Sequence, residues 1–122
     1  MNTNNKKNIV IKIGTTSIIK NDKVDLTLLK NLAELISENK NQFNFVIVTS
    51  GAVGLGAAKL NYKSRPKSLK RLQVASAVGQ IELINQYEEI FKDKKMNIAQ
   101  VLITKNLIDD RRFQFINSNF TY

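Results

Sequence analysis

The sequence predicts an α/β protein, a three-layer α/β/α sandwich built round a parallel sheet. Three observations predict it. Short apolar runs at Ile9–Ile13, Phe45–Thr49 and Ile98–Ile103 have the length and the valine and isoleucine content of strands. Stretches of helical periodicity separate them, and parallel neighbours need such crossovers. The first two runs break straight into glycine, threonine and serine, at Ile13-Gly14-Thr15-Thr16-Ser17 and Val48-Thr49-Ser50-Gly51. Ligands bind beyond the carboxyl ends of strands in sheets of this kind.

The first strand, Ile9–Ile13, carries Lys12 in an otherwise apolar run. Burying an ammonium is costly unless it meets an anion or carbonyls, which favours a ligand role over a side chain that snorkels to the surface. A helix follows from Asp25 to Lys40. Asp25 suits the N-cap, Val24 and Leu29 make a hydrophobic staple, and Leu28, Leu29, Leu32, Leu35 and Ile36 form one apolar stripe. The second strand hands over through Gly51 to a small-residue helix, Ala52 to Lys59. Asn61 to Pro66 reads as a loop. A long helix runs from about Ser68 to Phe91, with Leu72, Ala75, Val78, Leu83, Tyr87 and Ile90 as buried candidates. Its apolar residues spread round more than one face, so it is expected to be sandwiched. Gly79 in its middle costs about 1 kcal/mol relative to alanine, which points to a close contact there. The third strand continues to Thr104, and a last helix starts at Asp109.

Composition bounds the function. With 122 residues and 43% hydrophobic content the chain suits one domain with a single core. Cysteine and histidine are absent, which excludes disulfides, thiol chemistry, an imidazole base and the usual zinc sites. No metal-ligating residue is assigned. No run approaches the roughly 20 apolar residues of a membrane helix, and Met1 to Asn8 does not read as a secretory signal. A cytoplasmic protein without a membrane partner is the expectation. The net charge of +9 is spread along the chain. Its one local cluster, Lys63 to Arg71, has a single aromatic beside it, Tyr62, whereas a single-strand platform interleaves more aromatics with charge. Nucleic acid is not the expected partner.

A strand that turns into a helix through glycine leaves unpaired N–H groups at the positive helix end, which suits an anion. Gly14 with Thr15, Thr16 and Ser17 makes a credible phosphate loop, although the G-x-x-x-x-G-K-[ST] spacing is missing and a turn alone would also explain the glycine. Ser50 could equally cap the helix. Arg111 and Arg112 read as surface residues, and Glu82, Glu88 and Glu89 as a solvated helix edge. The residues themselves give an α/β anion binder.

Taken in order, Ile11-Lys12-Ile13-Gly14-Thr15-Thr16-Ser17, Val48-Thr49-Ser50-Gly51-Ala52-Val53-Gly54-Leu55-Gly56, Ala75-Ser76-Ala77-Val78-Gly79-Gln80 and Ala99-Gln100-Val101-Leu102-Ile103-Thr104 resemble the amino acid kinase family. Within it they resemble the members that phosphorylate glutamate. The resemblance covers Asn8 to Thr104, and loosens around Asp110-Arg111-Arg112 and Asn117. It implies an amino-acid-kinase-like sandwich and transfer of a phosphoryl group from ATP, with Mg2+, to the γ-carboxylate of L-glutamate. The product is glutamyl 5-phosphate, on the way to proline. By the same resemblance Lys12 stabilises the transferring group, Lys12 and Thr15 bind phosphate, and backbone N–H groups around Gly14 and Gly51 hold developing charge. Ser50 and Ala52 form the glutamate pocket, and a homo-oligomer is implied. Family members are considerably longer. The expectation is therefore that 1–122 is the amino-acid-substrate lobe without the nucleotide lobe, truncated or half of a split enzyme, and inactive by itself. A non-catalytic basic α/β fragment and a kinase of another carboxylate are the alternatives.

Overall fold

The computed structural model describes residues 5–102. The expected class is the one observed: a parallel sheet with helices packed on it. The sheet pairs β1 (Lys7–Ile13) with β4 (Phe43–Thr49), in a register that runs from Lys7 opposite Phe43 to Ile13 opposite Thr49. Between them the chain makes a single helical turn, α1 (Thr15–Ile18). A small hairpin, β2 (Ile19–Lys20) with β3 (Lys23–Val24), comes next, then the helix α2 (Leu26–Asn39). The sequence reading did not foresee this hairpin. Its signal is Asn21-Asp22, a two-residue connection in which both residues adopt positive φ, 50° and 60°. That conformation suits the twist of short antiparallel strands, and Asn and Asp tolerate it.

Asp25 caps α2 as expected, accepting from the Leu28 N–H at 3.1 Å. Its other oxygen pairs with Lys20 at 2.6 Å, which ties the hairpin to the helix start. The staple is in place, with Val24 and Leu29 both buried. Leu29, Leu32, Ala33 and Ile36 face the core, whereas Leu35 is half exposed.

After β4 come α3 (Ala52–Lys59) and α4 (Leu69–Asp93), the latter capped by Ser68. The close contact expected at Gly79 is there. A Cβ on Gly79 would lie 1.8 Å from the Ala52 carbonyl oxygen, and one on Gly56 1.7 Å from that of Ala75. The two glycines let the helix backbones touch.

Along β1 and β4 the side chains alternate, so Ile11, Ile13, Phe45 and Ile47 turn toward the helices. They meet α2 and α4 in one core that includes Ile18, Leu29, Leu83, Tyr87 and Phe91. Burying a side chain such as Ile18 or Leu29 in full contributes about 1.5–3 kcal/mol. The opposite face of the sheet, with Val10, Lys12, Val46 and Val48, is exposed among the described residues. The long helix is likewise covered on one side: Ala75, Gly79, Leu83, Tyr87, Ile90 and Phe91 are buried, while Val74 and Ile81 are exposed.

The third strand needs correction. Residues 98–102 are irregular, and no ladder joins them to the sheet. Lys95, at φ 55°, turns the chain back after α4, and the Met96 N–H donates to the Phe91 carbonyl at 3.1 Å. Ile98 then packs on the core instead of running beside β1 or β4, and Val101 and Leu102 are left exposed. Apolar content alone does not make a strand; a strand needs a partner edge for its backbone groups. Ile103, Thr104, the helix from Asp109, and Asp110, Arg111, Arg112 and Asn117 lie outside the described residues.

Candidate functional site

The carboxyl ends of β1 and β4 are fastened together beyond their last ladder pair. The Ser50 N–H donates to the Ile13 carbonyl at 3.0 Å, so Gly14 and the Ser50-Gly51 turn emerge side by side. Thr15 reaches the first turn of α3: a Cβ on Gly54 would stand 4.0 Å from its methyl group. The two glycine junctions, far apart in sequence, therefore form one corner. Gly14, Thr15, Ser50, Gly51 and Ala52 are all in it.

The two glycines differ in what they do. Gly51 has φ 112°, in the left-handed region, and a Cβ there would approach Ile19 and Ile18 to 3.0–3.1 Å. Its identity is required by the fold. Gly14 has φ −77° and ψ 161°, which any residue adopts, and nothing lies within 4 Å of where its Cβ would be. A positive-φ turn therefore does not explain Gly14, and the space where its side chain would stand is open.

Helix α3 begins at this corner without a side-chain cap. The first intrahelical bond closes from the Leu55 N–H to the Gly51 carbonyl, at 3.0 Å. The N–H groups of Ala52, Val53 and Gly54 precede it and have no acceptor within the helix. Ser50 is exposed and does not serve as the cap, so its hydroxyl is not committed to the helix end. Thr49, by contrast, is held. The Tyr87 hydroxyl donates to Thr49 Oγ1 at 2.9 Å, and burial pushes the Tyr87 hydroxyl pKa up. Tyr87, Ile18 and Ile19 support the corner from behind, and the sequence reading did not assign them this role. The period-four spacing of Leu83 and Tyr87 marked a core face, but nothing in it indicated that the phenol would meet Thr49.

Lys12 stands apart from the group. The β1 alternation puts it on the bare face of the sheet, opposite Val48 in register, and exposed. Desolvation is consequently no argument for an anion at its ammonium. Its case rests on position, two residues before Gly14. Among the described residues no group of three His, Cys, Asp or Glu side chains is placed to hold a metal ion.

A family model described as the amino acid kinase family matches residues 7–120, nearly the whole chain. The chain belongs to the amino acid kinase family. Within that family it is 42% identical over 121 residues to the glutamate 5-kinase of Prochlorococcus marinus subsp. pastoris, covering 95% of this chain and 32% of that protein. It is 41% identical over 105 residues to the glutamate 5-kinase of Enterococcus faecalis, covering 84% of this chain and 39% of the relative. The glutamate 5-kinase of Thermoanaerobacter sp. strain X514 is 39% identical over 115 residues. This member of the amino acid kinase family thus spans about a third of the length of the curated relatives it matches. Among its described residues no helix is long and apolar enough to cross a membrane.

Proposed function

We propose that this chain forms the glutamate-binding, phosphoryl-accepting part of an ATP-dependent glutamate 5-kinase, with residues 1–122 as its amino-acid-substrate lobe. The observation that carries the reading is Gly14. Nothing in the fold demands a glycine there, yet it stands, with open space about it, beside the Ser50-Gly51 turn from which α3 presents uncapped N–H groups. The curated relatives named above are glutamate 5-kinases, which supports glutamate as the acceptor.

The chemistry follows from charge. When bound, ATP supplies the phosphoryl group that passes to the glutamate γ-carboxylate, leaving ADP. A transfer of this kind needs positioning and charge neutralisation more than a covalent nucleophile. The backbone N–H groups at Gly14 and at the start of α3 stabilise charge that gathers on the transferring oxygens. Lys12 brings a positive charge to the same end of the sheet, Thr15 offers a hydroxyl to phosphate, and Ser50 and Ala52 shape the glutamate pocket. These donors fit phosphate oxygens. Mg2+ would be held by one or two carboxylates together with the nucleotide's phosphates and would neutralise charge there, and no residue described here is assigned to it.

This reading takes the cytoplasm as the working compartment, with neither nucleic acid nor membrane as partner. It takes a homo-oligomer as the assembly, which the exposed Val74 and Ile81 on α4 support. Titration of the chain with L-glutamate, followed by amide chemical shifts, tests the site. Saturable changes centred on Gly14 and Ser50 to Ala52, lost in Ser50→Ala, are expected. Changes elsewhere, or none at millimolar glutamate in the folded chain, would remove the assignment.

A further inference from the structure

The loop between α3 and α4 carries a second concentration of charge that the phosphoryl-accepting corner does not use. From Glu38 to Glu82 the sequence contains no acidic residue between these two. Within that span Lys63, Arg65, Lys67, Lys70 and Arg71 fall together. The ion pairs among the described residues are Lys20–Asp25 and Lys94–Glu34, and neither involves this loop. Its cations are therefore uncompensated within the described fold.

The loop is also shaped. Lys63, Arg65, Lys67 and Arg71 line one open cleft of about 680 Å3, together with Tyr62 and Pro66 and the neighbouring serines. That volume falls in the range of about 300–1,000 Å3 usual for small-molecule sites. Pro66 is buried and anchors the loop's middle. Asn61 turns the chain out of α3 at φ 55°. At the far side Ser68 caps α4 by accepting from the Arg71 N–H at 3.4 Å. The Arg71 guanidinium lies 5.8 Å from the centre of the Tyr62 ring, an arrangement that holds it in place by cation–π attraction. Part of the ordering cost of a binding arginine is thus met before any ligand arrives.

We infer that this cleft is a binding site for a small ligand bearing several phosphate groups, separate from the glutamate corner. Arginine matches phosphate oxygens in a bidentate way, and hydroxyls from Ser64 and Ser68 add neutral donors. A single aromatic, already engaged by Arg71, offers no stacking platform for a single strand, and the concentration of uncompensated cations selects a multiply charged anion. The site is also distant from the corner. Helix α3 begins at the corner and ends at the loop, and its 8 residues span about 12 Å.

Sodium triphosphate, without metal, is the probe, titrated into the full chain at moderate salt while amide shifts are followed. Saturable shifts confined to residues 61–71 are expected. Affinity is expected to fall at least tenfold in Arg65→Ala/Lys67→Ala and several-fold in Tyr62→Leu, and to stay unchanged in Lys23→Ala/Lys40→Ala. All these side chains except Tyr62 are exposed, and retained spectral dispersion confirms folding of each variant. Non-saturating shifts spread over Lys23 and Lys40 would reduce the cleft to general surface charge and overturn the inference. Shifts centred on Gly14 and Ala52 to Gly54 alone would also overturn it, by assigning the phosphate to the corner. Much tighter binding of a single-stranded oligonucleotide at residues 61–71 would replace the small ligand by nucleic acid.

Discussion

Gly51 and Tyr87 are the residues on which the corner depends most directly. At Gly51 a side chain faces two obstacles, a left-handed backbone and the nearby Ile19. The isoleucine atoms are flexible ends that can give way, so the backbone strain decides the sign. Gly51→Ala is expected to lower stability by about 1–3 kcal/mol, read as a lower urea midpoint with unchanged slope. Tyr87→Phe removes the hydrogen bond to Thr49 and is expected to cost about 1 kcal/mol. The phenol also links stability to pH. Burial raises its pKa above the ordinary value of 10.0, so the unfolded chain loses this proton first. The contribution is complete below about pH 10 and is lost as pH rises through the folded-state value. Urea midpoints at rising alkaline pH check this, since Tyr87→Phe is expected to flatten the decline.

At the scale of elements, the contact between α3 and α4 is the least tolerant part of the molecule. Alanine at Gly79 gains roughly 1 kcal/mol of helix propensity, yet its Cβ would sit 1.8 Å from a backbone oxygen. Backbone atoms cannot swing aside, so the helices have to separate. Gly79→Ala is expected to destabilise by about 3 kcal/mol or more, at the upper end of overpacking. Thermal unfolding measures it, and a variant as stable as the parent would show that the helices do not touch there. The start of α2 behaves differently. Lys20 and the Leu28 N–H both lower the Asp25 pKa from its usual 3.8. Its contribution is present above that value and is lost as pH falls through the lower folded-state value. Asp25→Asn keeps a capping oxygen but loses the charge, so it is expected to remove this acid dependence while α2 persists by circular dichroism.

Across the whole molecule, the sheet stands half covered. Val10 is 63% exposed, Val46 51% and Val48 47%, all on one face. Each of the two strands also has a second edge without a ladder partner among the described residues. Bare edges and apolar patches of this kind promote association. The 122-residue chain is expected to self-associate as its concentration rises. Val46→Lys, on the exposed face, is expected to shift that onset upward with little change in unfolding midpoint. Light scattering against concentration checks it.

The sequence by itself determined the local events. Asp25 and Ser68 cap where their side chains can meet free N–H groups, Ala52 to Lys59 forms the small-residue helix, and Gly79 marks a close contact, because these outcomes depend on neighbours a turn away or on the lack of a Cβ. The identity of the family was legible for the same reason, in short motifs with fixed order. The tertiary structure alone decided the rest. It turned Lys12 to the bare face, left residues 98–102 without a ladder, and assigned Tyr87 to Thr49, since each of these depends on partners distant in the chain. It also separated the roles of Gly14 and Gly51. Both read alike as strand-end glycines, yet only the positive φ at Gly51 needs one, and only the packing around Gly14 shows that its space is open.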